Sequence, residues 1–354
     1  MVRQAATLTK LQELILFVTT LSCLALLLGL SYGLLPPQGD VLANENRRVA
    51  PFPSLSSVKD WQGFPQAFET YFADRLAFRQ TLTTAHHQVL IKLFHASPTR
   101  KVLLGQDGWL FLQGPGGNAV DLFHRNIKPF SGQEIQDVRA ELVRRRDWVA
   151  SWGGRALFVL IPNKETIYPE HLPELYQRQA NSGSRYAQWE TIFSKENSLD
   201  RIDLKPALLI AKQQGQVYFR SDSHWNADGA YVGYRELVKG LRLWFPKISQ
   251  VERRQKAAPK TYQGDLARLL AVGNWFDELD LSCSSTLQEA PRLQCAKPVD
   301  PISEGRLIPK KSNPLVFECG NAELPTAVLV RDSMSIPWLA WLPDNFRRLF
   351  LSRI

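Results

Sequence analysis

The run Arg155-Ala-Leu-Phe-Val-Leu-Ile161 is apolar at every position after its first and is bounded by Gly153-Gly154 and Pro162. A strand with one wet face would alternate polar and apolar residues. A continuous apolar run is instead buried on both faces, as in a parallel sheet covered by helices. Ala327-Val-Leu-Val330 repeats the pattern late in the chain. Between the two lie helix-like segments near Ser184 to Phe193, Lys205 to Gln213 and Ala230 to Trp244, and an Arg- and Glu-rich helix precedes them from about Gly132 to Ala150. The expected fold class is therefore α/β, a mostly parallel sheet flanked by helices. Such sheets place their sites at the C-terminal ends of strands.

Polar residues gather at those ends. Asn163-Lys164-Glu165, with Tyr168-Pro169 behind them, follow the first apolar run, and Arg331-Asp332-Ser333-Met334-Ser335 follow the second. A third strand-like stretch, Val217-Tyr-Phe219, stops at Arg220-Ser-Asp222-Ser-His224-Trp225-Asn226. Elsewhere, Lys101 to Gly105 and Gly108 to Leu112 read as a β-hairpin, and Trp61 to Phe94 carries aromatic and Leu residues at helical spacing. Ser249 to Leu324 shows no periodicity.

The other end of the chain bears on location. Leu14 to Leu35 is a nearly unbroken apolar run, long enough at about 20 residues to cross a bilayer. Arg3 and Lys10 precede it, which puts the N-terminus in the cytoplasm and the rest outside. The alternative is a cleaved signal peptide ending near Val41-Leu-Ala43. With 44% hydrophobic residues and 10 tryptophans the chain is neither disordered nor fibrous. Its net charge of +9 suits a membrane surface or an acidic polymer. No Lys/Arg block interleaved with aromatics is present, so no nucleic-acid partner is expected. Outside the cytoplasm disulfides are permitted, and Cys283 with Cys295, which close the shortest loop, are the expected pair. No zinc-like Cys/His spacing occurs, and no metal is expected.

Ser333 leaves an apolar strand at a turn, where its hydroxyl can be exposed with nearby backbone N–H groups as oxyanion donors. A neutral serine is a weak nucleophile and needs a base. His224 supplies an imidazole and Asp222 a carboxylate to fix its tautomer. Each feature has a plainer reading: Ser333 as a turn residue, and Asp222 with His224 as the cap of the helix that follows.

Asp332-Ser333 after an apolar strand resembles the nucleophile block of SGNH hydrolases. The block Asp222-x-His224-Trp225-Asn226, placed before the serine, resembles the permuted order of the AlgX/AlgJ family. Glu45-Asn-Arg47, Phe64-Pro, Asp74-Arg75, Gly108-Trp109, Asn163-Lys164, Tyr168-Pro169 and Gly264-Asp265-Leu266 agree with that family. The resemblance spans roughly Asn44 to Ser335. It implies an SGNH-hydrolase-like, flavodoxin-like fold and an O-acetyltransferase acting on an exported polysaccharide such as alginate. Ser333 would carry the acetyl group, with His224 as base and acid and Asp222 as orienter. Asn163, Lys164, Tyr168, Trp225 and Arg331 would bind substrate or support the site. No cofactor is implied. The expected partners are a polysaccharide acceptor and a membrane-bound O-acyltransferase that supplies acetyl groups.

The expected organisation is a cytoplasmic segment 1–13, a transmembrane signal anchor 14–35, a linker 36–57 and an SGNH-hydrolase-like domain 58–354. That domain would be periplasmic, tethered to the bacterial inner membrane, and shortened at its C-terminus relative to the family. Two other functions fit the same residues: an acetyl esterase using water as acceptor, and a non-catalytic polysaccharide-binding subunit.

Overall fold

In the computed structural model both apolar runs become parallel strands. The structure describes residues 2–33, 41–42, 47–75, 79–114, 120–178, 183–252, 260–280, 295–299 and 316–353. Packing divides the chain into two compact units, Met1–Pro98 with Arg268–Gly273, and Thr99–Ala267 with Asn274–Ile354.

In the second unit, strand Leu157–Leu160 pairs in parallel with Asp200–Asp203. Thr326–Arg331 pairs in parallel with Arg348–Arg353, Thr326 facing Arg348 and Arg331 facing Arg353. The rest of this second sheet is antiparallel: Val316–Glu318 lies against Arg348–Arg353 on one side and Lys297–Val299 on the other. Among the described strands parallel pairing is thus confined to the two apolar runs and their partners, and the sheet at the C-terminal end is mixed. Leu157–Leu160 is half-buried throughout, not fully enclosed; its partner among the described strands is Asp200–Asp203 alone.

The same antiparallel register corrects the cysteine pairing. Lys297 faces Glu318, which brings the flanking residues together, and Cys295 is bonded to Cys319 with the Cα atoms 4.9 Å apart. Cys283 lies outside the described residues. Strand alignment, not loop length, selects the partner.

Three local departures each have a local cause. Val217–Phe219 is not a strand: apart from one bridge, Tyr218 with Trp225, its backbone bonds go to the side chains of Tyr168, Gln216 and Lys164 and to its own loop. Val217 N donates to the Tyr168 hydroxyl at 2.9 Å and Phe219 N to the His224 carbonyl. The helix after the motif starts earlier than expected, at Ala227, because Asn226 accepts from Gly229 N and caps it. The apolar stretch from Ser333 to Ala340 is a 3-10 helix that contains Pro337, a residue with no N–H to continue an α-helical ladder.

The expected hairpin forms between Val102–Leu104 and Leu110–Leu112, and its turn holds Asp107 and Gly108 at φ 52° and 76°. Helix Gly132–Ser151 begins at a capping box made by Ser131 and Glu134. Helix Ala227–Arg242 buries Ala230, Gly233, Tyr234, Leu237, Val238 and Leu241, one face at helical spacing. It packs into a core with Trp225, Tyr218, Leu204, Leu208 and Trp338.

In the first unit, Val2–Gly33 is a single helix, followed by helices Val58–Arg75 and Arg79–Phe94. Asp74 is buried and accepts from Ala50 N at 2.9 Å, while Arg75 donates to the Ala50 carbonyl at 2.7 Å. Among the described residues no helix is long and apolar enough to cross a membrane. Leu34 and Leu35 of the expected span lie outside the described residues.

Candidate active site

The three residues singled out from sequence meet. His224 Nε2 lies 2.8 Å from Ser333 Oγ, and His224 Nδ1 lies 2.7 Å from Asp222 Oδ1. The Asp-Ser-His turn makes this possible because Asp222 Oδ1 also accepts from the His224 backbone N at 2.9 Å. The tight turn closes the residue-plus-two spacing between Asp222 and His224 through its own backbone. Asp222 is buried, while His224 and Ser333 are half-buried, so the outer end of the array can meet a substrate.

Residues 102–321 match the family described as SGNH hydrolase-like domain, acetyltransferase AlgX. The chain belongs to this AlgX-type family. It is 29% identical over 225 residues to a probable alginate O-acetylase AlgJ of Pseudomonas aeruginosa, and 27% identical over 216 residues to the one of Pseudomonas syringae pv. tomato. Each match covers 60% of this chain and 52% of the relative, so the chain spans about half the length of these proteins. The O-acetyltransferase domain of Pseudomonas putida AlgJ is similar at 21% identity with a TM-score of 0.45, covering 71% of this chain and 78% of that one. The matched family region holds Asp222 and His224 and ends before Ser333, whose assignment rests on its contact with the imidazole.

In this AlgX-type chain the loop Phe219 to His224 is held from several segments at once. Glu278 accepts from Ser221 N at 2.8 Å, Ser221 Oγ at 2.5 Å and Arg220 N at 3.0 Å. Asp265 accepts from Ser223 N at 2.7 Å and Ser223 Oγ at 2.5 Å. Asp222 Oδ2, the oxygen turned away from His224, accepts from the Tyr262 hydroxyl at 2.6 Å and Asp265 N at 2.8 Å. Gly264 packs directly on the loop backbone: a Cβ there would stand 2.1 Å from the Ser221 carbonyl oxygen. Only glycine permits that approach.

Burial pushes the Asp222 carboxyl up, but hydrogen bonds from His224 and Tyr262 and the imidazole's charge outweigh it, holding Asp222 well below the usual carboxylate range. For His224, burial works downward, and the Asp222 bond and charge, with Asp265 and Asp332 beyond, carry it above its ordinary value. Burial and the Asp222 charge raise Asp265. The outcome is an ionised orienter beside a strengthened base. Asp222, His224 and Asp265 offer ligand atoms within 4.8 Å of one another. Every one of those carboxylate oxygens and both imidazole nitrogens is already hydrogen-bonded within the protein, an arrangement that suits proton movement better than a cation.

The supporting residues divide. Trp225 is buried behind the serine turn, and its indole donates to the Met334 carbonyl at 2.8 Å. Trp338, from the serine side, donates to the Ala230 carbonyl at 2.8 Å, and the two rings lie 5.5 Å apart. Lys164 does not reach outward: it is buried, and its Nζ donates to the carbonyls of Phe219, Arg220 and Asp222. Tyr168 is buried at the root of the loop, its ring 4.3 Å from that of Trp109. Arg331 donates to the Asp332 carbonyl beside Ser333. Asn163 starts the short helix Lys164–Ile167 without a side-chain cap bond. Asp332 caps the serine turn by accepting from Met334 N at 2.9 Å, so that N–H is taken and is no free oxyanion donor. Tyr262, Asp265 and Glu278 had no role in the motif reading, although Asp265 stood in the Gly-Asp-Leu block.

Proposed function

We propose that the chain is an O-acetyltransferase that moves an acetyl group through Ser333 to hydroxyls of a polysaccharide outside the cytoplasmic membrane. The observation that carries this reading is the continuous line Asp222, His224, Ser333, with contacts of 2.7 and 2.8 Å. The family description names an acetyltransferase, and the relatives named above are described as alginate O-acetylases.

Ser333 Oγ attacks the acetyl carbonyl of an activated donor while its proton passes to His224 Nε2. The bond to the donor's leaving group breaks, and His224 returns the proton to that group. A sugar hydroxyl then attacks the acetyl-serine and gives its proton to His224. Ser333 leaves as a hydroxyl by taking the proton back. Asp222 keeps Nδ1 protonated throughout and stabilises the imidazolium. A membrane-bound O-acyltransferase is the proposed acetyl supplier, and an alginate-like polymer the proposed acceptor class.

The proposed location is the inner membrane, with residues 1–13 cytoplasmic, Leu14 to Leu35 as an uncleaved anchor and residues 36–354 periplasmic. Two observations support it. In helix Val2–Gly33 the side chains of Leu14, Ile15, Leu16, Phe17, Val18, Leu21, Leu24 and Leu26 are exposed to solvent, a surface that favours lipid. The Cys295–Cys319 bond suits an oxidising compartment.

A serine-directed fluorophosphonate tests the nucleophile. The full chain is expected to label, and Ser333→Ala to lose all labelling; equal labelling of the variant removes Ser333 from the mechanism. Incubation with an acetyl donor and an oligosaccharide then decides between acceptors. Acetylated sugar is expected. Free acetate alone at every sugar concentration leaves an esterase.

A further inference from the structure

We propose that Lys164 is a positioning residue whose ammonium, gripped by three carbonyls of the Phe219 to Asp222 segment, holds Asp222 and His224 in register, so that Ser333 is fully reactive only while Lys164 is protonated. The inference rests on the acyl-transfer reading above and adds a group that touches neither donor nor acceptor.

A lysine that is 2% exposed is unusual, because desolvating an ammonium is unfavourable unless all its donors are satisfied. Here the three donors have three acceptors: the carbonyls of Phe219 at 3.1 Å, Arg220 at 3.1 Å and Asp222 at 2.5 Å. Phe219 ends the stretch that is not a strand, and Arg220 and Asp222 follow it in the loop; Leu110 N, from the hairpin, also donates to the Arg220 carbonyl at 2.9 Å. The Lys164 side chain ties that one backbone contact to the carbonyls of Phe219 and Asp222 on either side. The Trp109 and Phe111 rings, 5.7 and 5.3 Å from Nζ, wall it in.

The charges around the ammonium come from four segments: Glu165 on its own helix, Asp222 on the loop, Asp265 at the start of helix Asp265–Leu270, and Glu278 on strand Glu278–Asp280. His224 adds its own proton next to Asp222. Burial lowers Lys164 to about 8, against the upward pull of these carboxylates. Burial also raises Glu165, to about 7. Above that range Lys164 keeps two donors for three carbonyls, and the loop loses its charge-assisted bonds. The sign is therefore set: protonated and held below about 8, neutral and loosened above it. His224 acts in the opposite sense, since it must be neutral to accept the serine proton.

The test is the rate of fluorophosphonate labelling against pH on the full chain. In that reaction Ser333 Oγ displaces fluoride from phosphorus and passes its proton to His224. Wild type is expected to rise as His224 deprotonates and to fall again as pH passes about 8, with the fold intact by circular dichroism. Lys164→Met, of similar length and without charge, is expected to lose on the order of 10²-fold at the plateau and to lack the alkaline fall. A wild-type rate that stays flat to about pH 9.5, or a Lys164→Met protein with unchanged rate and profile, overturns the proposal. Should Lys164→Met not fold, the wild-type profile decides alone. Labelling that survives Ser333→Ala instead defeats the acyl-transfer reading, so the two failures are distinct.

Discussion

The loop bearing Asp222 and His224 and the turn bearing Ser333 touch at 2.8 Å, yet they are built differently. The loop is fixed by groups far away in sequence. Glu278, Asp265, Tyr262 and Lys164 stand 40 to 58 residues from the atoms they bond, and between them they bond the N and carbonyl of Arg220, the N and Oγ of Ser221 and of Ser223, and the carbonyl and Oδ2 of Asp222. The serine turn is shaped locally and anchored from afar: Asp332 caps it and Ser335 Oγ donates back to the Asp332 carbonyl at 3.1 Å, while the Trp225 and Trp338 indole bonds, across 109 and 108 residues, fasten it to the loop and to helix Ala227–Arg242. The difference follows from chemistry. A base must present one nitrogen in one direction and keep a buried carboxylate ionised. A serine hydroxyl rotates and needs only a place to stand.

If that contrast is sound, damage to the loop is worse than damage to the turn, and the largest effect comes at the orienter. Asp222→Asn is expected to slow labelling and transfer by about 10⁴-fold, because the imidazole loses its tautomer and its stabilised cation. The pH profile sharpens the point. Asp222 helps hold His224 above its ordinary value, so in the variant the acid limb moves to lower pH. A loss smaller than about tenfold shifts the orienting role to Asp265, whose Oδ2 is 3.7 Å from Nδ1.

The same contrast explains what was legible beforehand. Asp222, His224 and Ser333 could be found because each follows a short apolar run and carries a side chain with obvious chemistry. The helix at Gly132–Ser151 was legible in its Arg- and Glu-rich run, and the helix after the motif was legible from Ala230, three residues past its actual start at Ala227. The shape of the serine turn was readable because its cap and back-bond, from Asp332 to Met334 and Ser335, are local. The buttress of the loop was not: Tyr262, Asp265 and Glu278 sit in a stretch without periodicity, and only long-range pairing of Lys260–Tyr262 with Glu278–Asp280 gives them a task. Strand Asp200–Asp203 hid for a related reason, since its Asp-Arg-Ile-Asp sequence carries little strand propensity and is made a strand by its neighbour Leu157–Leu160. Val217–Phe219 erred the other way. Its β-like residues were overruled by the Tyr168 hydroxyl and Lys164.

A second, smaller effect tests whether the loop is held as tightly as its contacts imply. Gly264→Ala forces a methyl group to within 2.1 Å of the Ser221 carbonyl oxygen and 2.5 Å of Asp222 N, and all the atoms it meets are backbone. The expected loss is about 3 kcal/mol in urea or thermal unfolding. Labelling should fall on the order of 10²-fold in the protein that remains folded. A neutral result in both measurements means that the loop yields, and the contrast with the serine turn then fails.

The smallest effect belongs to the turn, and two substitutions at Asp332 separate its parts. Asp332 does two things: its Oδ1 accepts from Met334 N, and its charge adds to the pull that raises His224. Asp332→Ala removes both, so about 1 kcal/mol of stability is lost with the cap. Labelling should drop only a few-fold, because the indole bonds of Trp225 and Trp338 still hold the turn. Asp332→Asn keeps a capping oxygen and loses the charge. Its stability should match wild type, while the acid limb of the labelling profile moves slightly to lower pH, the direction expected when a group that raises the His224 pKa is removed. Should Asp332→Ala instead slow labelling as much as Asp222→Asn, the serine would depend on its cap as heavily as the base depends on its orienter. The two arms would then be equally constrained, and the local look of the serine turn would be misleading.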